Sequence, residues 1–369
     1  MDDATLDFTR IGGLKPPVKR AAYSDRTAWL MAILAEIAYL RLDEDADNSI
    51  LALAEELANI TNQDEIAEKL RKLSAFLDTH TSETDTDNQV LRQALAAGDF
   101  TLKGVLYDAA TDTQGYVAVR RSDDGLGMAV VAFRGTQQVK DWLTNLNAEK
   151  TDIHSTDPAN TLLLGRVHRG FNAAFLSVRQ QMADLLADEN DMPIYITGHS
   201  LGGALATLAT WYTNGNDLAA CYTFGAPRVG DDRLAERFRT PIYRLVNGID
   251  PVPMVPPSGI TIDILKTVFR FVATFFSPLN WVVRQLVRVQ GYRHYGPQRY
   301  LSIAKQADDG TFPKLRLEHG VSTLERFWRQ VMRIVAGDFT RGARLDKYHD
   351  MALYRMKLRD IANKRQQKL

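Results

Sequence analysis

The chain has 369 residues, about what one large α/β domain with insertions occupies. Hydrophobic residues make up 45% and charged residues 24%, which excludes a disordered or low-complexity chain. The 45 basic residues balance 45 acidic ones, and no zinc-ribbon, RRM or basic-zipper pattern is present, so no nucleic-acid partner is expected. The single cysteine, Cys221, rules out an intramolecular disulfide and agrees with a reducing compartment. The opening residues, Met1 to Asp7, are acidic without an apolar run, so no cleavable secretory signal is expected. No apolar stretch reaches the roughly 20 residues of a spanning helix. A cytoplasmic or peripheral-membrane location is the resulting expectation.

The balanced charge conceals a division. Residues 1–115 carry 21 acidic and 11 basic side chains, whereas residues 258–345 carry 6 acidic and 14 basic ones. In the acidic part, Ser24 or Asp25 can cap a helix that places Trp29, Leu30, Ile33, Leu34, Ile37 and Leu40 at helical spacing. Further helical patterns run over 50–60 and 64–77, and residues 79–88 read as a surface loop. Residues 1–100 are therefore expected to form a helical layer packed on the core. Asp43, Asp45 and Asp47 alternate like the start of a calcium loop. Neither register supplies both the turn glycine and the closing glutamate, so they read as a helix-capping turn and no metal site is expected.

Beyond Thr101 the period changes. β-branched runs over 115–120, 128–133, 193–197, 219–224 and 242–246 alternate with helical stretches over 170–187, 201–212 and 231–238. Such alternation implies an α/β fold with a mostly parallel central sheet covered on both faces.

Chemistry enters at Gly198-His199-Ser200-Leu201-Gly202, which follows an apolar strand and opens a helix. In a strand-turn-helix elbow the flanking glycines keep side chains out of the crowded turn, and the serine hydroxyl is presented at the carboxyl edge of the sheet. A serine hydroxyl is a weak nucleophile at neutral pH, so it needs a base, and the base needs an orienting acid. Asp250 follows the strand over 242–246 and is the candidate acid, whereas Asp231 and Asp232 stand at a helix start as caps. Downstream of Asp250 lie His294, His319 and His349. His349 precedes a terminal amphipathic helix and is favoured as the base, with His294 and His319 as alternatives. His199 and His168 read as packing residues, and His80 and His154 as surface-loop residues. Oxyanion donors are expected from the Leu201 backbone and from Thr136, which follows the strand over 128–133.

Five blocks occur together: Phe133 to Thr136 with Asp141 to Leu146, Val167 to Phe171, Gly198 to Ala204, Phe224 to Gly230, and Asn247 to Pro257. In this order they resemble the class 3 lipases, the fungal-type family of the α/β-hydrolase superfamily. The resemblance covers roughly 102–301. It implies an α/β-hydrolase fold, an esterase acting on acylglycerols, Ser200, Asp250 and His349 as triad, Thr136 and Leu201 as oxyanion hole, and no cofactor. Residues 292–297 resemble the family's non-catalytic histidine block, which argues against His294 as base. Thr136 stands where several relatives have Ser. Residues 137–143, with Gln137, Trp142 and Leu143, resemble the lid.

The expected architecture is thus a helical layer over 1–100 and a catalytic domain over 101–369, with a helical cap or lid inserted at about 258–290 and 319–345. The expected function is hydrolysis of acylglycerol esters. The alternatives are a phospholipase A1 or lysophospholipase, and a non-catalytic membrane-binding module on the same fold. Within the first insertion Phe271, Phe275 and Trp281 accompany paired basic residues, a pattern that fits a lipid surface. Oligomeric state is not legible.

Overall fold

Strands whose side chains are apolar on both faces need cover on both faces, and that requirement organises the molecule. The structure is a computed structural model that describes residues 21–40, 88–121, 127–136, 149–155, 162–189, 192–213, 217–256, 291–321, 325 and 346–366. Helices α1 (Asp25–Ile37) and α2 (Gln89–Ala96) precede strands β1 (Thr101–Asp108), β2 (Thr113–Arg120) and β3 (Met128–Phe133). A hairpin follows, β4 (Lys150–His154) and β5 (Leu163–His168), and then α3 (Arg169–Leu186). The next elements are β6 (Ile194–His199), α4 (Leu201–Thr213), β7 (Leu218–Phe224), α5 (Asp232–Ala235) and β8 (Ile242–Asn247). The chain ends with β9 (Gln298–Leu301), β10 (Leu317–His319), α6 (Asp346–His349) and α7 (Met351–Gln366).

The main sheet runs β1-β2-β3-β6-β7-β8-β9-β10. Its inner strands, β3, β6, β7, β8 and β9, are mutually parallel. Antiparallel pairs close both edges, β1 and β2 on one side and β10 on the other. Alternate residues sort into two cores. Tyr116, Ala118, Val130, Ala132, Tyr222 and Leu245 face α1, α2 and α7, whereas Val117, Val119, Ala129, Val131, Phe133 and Ile196 face α3 and α4.

Helix α1 is bonded into the sheet face: the Tyr116 hydroxyl donates to Leu34 O at 2.7 Å and Thr197 Oγ1 to Met31 O at 3.1 Å. Glu36 near its end pairs with Arg355 near the start of α7 (2.6 Å), and Asp25 at its beginning pairs with Arg365 near the end of α7 (2.7 Å). The two helices therefore run antiparallel. Because the inner strands are parallel, their carboxyl ends share one edge. There β3 leads to Gly135 and Thr136, β6 to Ser200, β7 to Gly225 and β8 to Asp250, in the arrangement of the α/β-hydrolase fold.

Several expectations need adjustment. The helix expected over 231–238 is the single turn α5. His154 is exposed on β4 and not in a loop, because β4 pairs with β5 outside the main sheet. Strands β1, β4, β5, β9 and β10 are not distinguished by apolar period: β10 has three residues, and β4 buries only Ile153. The helical patterns over 50–60 and 64–77, the loop before Asn88 and Asp43, Asp45 and Asp47 lie outside the described residues. So do most of the insertions at 258–290 and 319–345, including Phe271, Phe275 and Trp281, and so do Gln137, Trp142 and Leu143.

Candidate active site

The elbow at Ser200 is a left-handed turn, with Ser200 at φ 58°, a conformation an L-residue adopts only when its surroundings impose it. Those surroundings are backbone. Ser200 N–H donates to Phe224 O (2.9 Å), and Ser200 O accepts the first helical bonds of α4 from Gly203 and Ala204. A Cβ at Gly198 would run into the Gly202 carbonyl, one at Gly202 into the Phe133 carbonyl, and one at Gly203 would lie 2.6 Å from Ala226 Cβ. Strand, helix and neighbouring loop approach closely because these three residues have no side chain. The Ser200 Oγ is buried and, among the described residues, has no hydrogen-bond partner.

Asp250 lies beyond β8, fully buried, in a loop held by two carbonyl contacts of the buried Arg228, to Met254 O and to Pro256 O (2.6 Å). Its carboxylate accepts from Val252 N–H on Oδ1 (2.9 Å) and from the Tyr354 hydroxyl on Oδ2 (2.6 Å). His349 closes the set, with Nδ1 at 3.0 and 2.9 Å from the two oxygens. With that nitrogen committed to the carboxylate as donor, Nε2 is the acceptor of the neutral ring. Nε2 is buried and, among the described residues, has no hydrogen-bond partner. Ser200 Oγ and His349 Nε2 thus make no hydrogen bond to each other.

The histidine alternatives separate by geometry. His294 donates from Nε2 to Pro253 O at 2.7 Å, and His319 is exposed on the edge strand β10. His168 caps α3, accepting from Phe171 N–H (3.2 Å) and stacking on the Phe171 ring at 3.9 Å. His199 packs its ring 4.4 Å from that of His349, and its Nδ1 meets the Tyr39 hydroxyl at 2.9 Å. Burial, and after it the charge His349 can carry, hold the His199 imidazole well below the usual range. His199 therefore packs as a neutral ring behind His349.

Thr136 and Leu201 occupy the ends of the two elements that flank this space. Leu201 opens α4, where the first N–H groups have no helical acceptor. Gly135, next to Thr136, abuts the elbow: a Cβ there would lie 3.0 Å from Ser200 Cβ and would also strike the Tyr39 hydroxyl. Asp231 is a helix cap, accepting from Leu234 N–H at 3.0 Å, which leaves the acid position to Asp250.

Sequence reasoning missed four participants: Gly225, Tyr39, Asn247 and Tyr354. Gly225 adopts φ +57°, and a Cβ on it would fall 2.7 Å from Asp250 Oδ2 and 2.9 Å from His349 Nδ1. Tyr39 and Tyr354 each sit on an amphipathic pattern where a tyrosine that only fills the core looks the same as one whose hydroxyl reaches the site.

Residues 130–259 match the family model described as lipase (class 3). The chain is similar to a secreted mono- and diacylglycerol lipase of Fusarium solani, 29% identical over 60% of this chain and 57% of that protein. It is also similar to the chloroplastic phospholipase A(1) DAD1 of Arabidopsis thaliana, 34% identical over 38% of each chain. Among solved structures, lipase II from Rhizopus niveus is 20% identical with a TM-score of 0.46, covering 77% of this chain and 84% of that one. The chain spans about half the length of the curated relatives it matches. The expected cytoplasmic or peripheral-membrane location does not stand, because relatives from Fusarium solani and Penicillium camembertii are secreted lipases. The lone cysteine was a poor guide to compartment: Cys221 is buried and its thiol is pushed up to about 12 by burial, so it is inert in either redox environment. The elbow at Ser200 and the strand order thus agree with the class 3 lipase model that residues 130–259 match.

Proposed function

We propose that the protein is a serine carboxylic-ester hydrolase of lipase type acting on acylglycerols. The observation that carries this reading is the buried Asp250–His349 pair, whose Nε2 shares the carboxyl edge of the sheet with the Ser200 hydroxyl, both without a hydrogen-bond partner among the described residues. In the proposed reaction His349 Nε2 takes the Ser200 proton as Oγ bonds to the ester carbonyl carbon, and Asp250 stabilises the imidazolium. Backbone N–H groups at Leu201 and Thr136, with the Thr136 hydroxyl, receive the oxyanion. Collapse of the tetrahedral intermediate breaks the bond to the alcohol, which leaves with the proton from His349. Water, activated by the same base, then releases the fatty acid and restores Ser200. No step calls for a cofactor.

The acylglycerol preference is supported by the mono- and diacylglycerol lipases among the relatives, and the phospholipase A1 matches support phospholipid as a second substrate class. A lipid-facing role for Phe271, Phe275 and Trp281 and a lid role for Gln137, Trp142 and Leu143 rest on the sequence pattern alone. We also propose the division into a helical layer over 1–100 and a catalytic domain over 101–369, supported by the shared core of α1, α2 and the sheet.

The test is release of p-nitrophenol from acyl esters, followed by incubation of mixed lipid extracts with the wild type and with Ser200→Ala. Loss of di- or triacylglycerol dependent on Ser200 is expected. Loss of phospholipid alone would move the substrate class, and no Ser200-dependent hydrolysis of any ester would leave the non-catalytic reading. Thr136→Val keeps shape and backbone N–H, so kcat should fall roughly tenfold to a thousandfold with KM little changed. An unchanged kcat would remove the hydroxyl from the oxyanion role.

A further inference from the structure

Lys357 lies on α7, two turns beyond His349, and is 1% exposed. Among the described residues its ammonium forms no ion pair. Its Nζ donates to the Asn247 Oδ1 at 2.7 Å and to Ser302 O at 2.8 Å. A buried cation satisfied only by neutral acceptors is costly to keep, and burial lowers the amine to about 8, so its presence calls for a reason.

The reason lies in Asn247. An amide side chain can turn end for end, and its orientation is set by its neighbours. An ammonium can only donate, so Oδ1 must face Lys357 and Nδ2 must face the other way, where it donates to the Tyr348 carbonyl at 2.9 Å. Tyr348 is the residue immediately before His349. The backbone N–H of Asn247 donates in turn to the Tyr354 hydroxyl at 2.9 Å, which leaves that hydroxyl only its own proton to give, and it gives it to Asp250. One residue at the end of β8 therefore holds the peptide next to the base and the hydroxyl bonded to the acid.

We propose that Lys357 is a positioning residue of the catalytic pair: by fixing the Asn247 amide it locks the His349 segment to the Asp250 loop. The proposal rests on the hydrolytic reading of Ser200, Asp250 and His349, and Lys357 itself lies outside residues 130–259, the segment matched by the family model. Lys357 touches no reacting atom; it acts through Asn247. In its absence the amide is free to rotate, the Tyr348 carbonyl loses its donor, and the imidazole gains freedom that the reaction geometry does not tolerate.

The experiment compares the wild type with Lys357→Met and Asn247→Asp. The first keeps the volume of the side chain and removes the donor. The second keeps an acceptor for Lys357, gives it a carboxylate partner that favours folding, and removes the donor to Tyr348. On a water-soluble ester each variant is expected to lose about tenfold in kcat with KM within about twofold and with Tm no lower than that of the wild type. In the double variant the losses should not add, since both changes break one link. The second readout is the downfield proton resonance of His349 Nδ1–H bonded to Asp250, expected in the wild type and exchanging faster with water in both variants. Wild-type kcat in a folded variant, additive losses, or an unchanged resonance would overturn the proposal. A wild type that shows the resonance yet hydrolyses no ester would defeat the hydrolytic reading and leave the Lys357 lock to be judged on the resonance alone.

Discussion

At Gly225 the absence of a single carbon decides whether the acid and base can meet. A methyl there would stand 2.7 Å from the Asp250 carboxylate and 2.9 Å from His349 Nδ1, on a backbone at φ +57°. Gly225→Ala should therefore part the pair as well as strain the turn, lowering kcat by at least a hundredfold while the far-ultraviolet circular dichroism spectrum stays native. A variant with wild-type kcat would mean that the loop relaxes around the methyl. Ser200→Ala and His349→Ala should each lower kcat by several orders of magnitude, with the double variant scarcely worse, because nucleophile and base act as a unit. Single-turnover measurements with an activated ester distinguish this from two independent losses. His199 illustrates a complementary economy: kept neutral by burial, it contributes shape and no competing proton acceptor.

At the scale of elements, the active edge depends on two helices that come from opposite ends of the chain. Helix α7 carries Tyr354 and Lys357 into the site, and α1 holds α7 through Glu36 and Arg355, both buried. A buried ion pair adds little net stability over an apolar pair, but removing one member strands the other charge. Glu36→Gln is accordingly expected to cost about 3–5 kcal/mol in urea unfolding, and Glu36→Leu with Arg355→Met should recover most of it. If the single variant is as stable as the wild type, the pair is not what joins the helices. The N-terminal layer also reaches the elbow directly through Tyr39, whose hydroxyl meets His199 Nδ1.

For the molecule as a whole, Lys357 couples stability to pH. Its amine is lowered from 10.5 to about 8 by burial, so between those values the unfolded chain binds a proton that the folded chain has released. Stability should rise with pH across that window through this group, and below about pH 8 the buried charge opposes folding in full. Chemical denaturation at pH 7.5, 9 and 10 should show a rise in the wild type that Lys357→Met lacks; equal slopes would place the proton elsewhere. The sequence by itself determined the parts whose signal is local. Periods of two and 3.6 marked β2, β3, β6, β7, β8, α3 and α4, since each of these elements buries a face along its own length. The elbow glycines marked Ser200, and the loop after β8 marked Asp250, because chain order fixes what stands at a strand's carboxyl end. The sequence favoured His349 over His294 and His319 by its place before the last helix, but that its ring meets Asp250, 99 residues away along the chain, was decided by the fold. The same holds for Gly225, Tyr39, Asn247, Tyr354 and Lys357. Their roles arise from contacts between segments far apart in sequence, and no spacing along one segment encodes which distant backbone or hydroxyl a side chain will meet; only the packing of α1 and α7 on the sheet decides it.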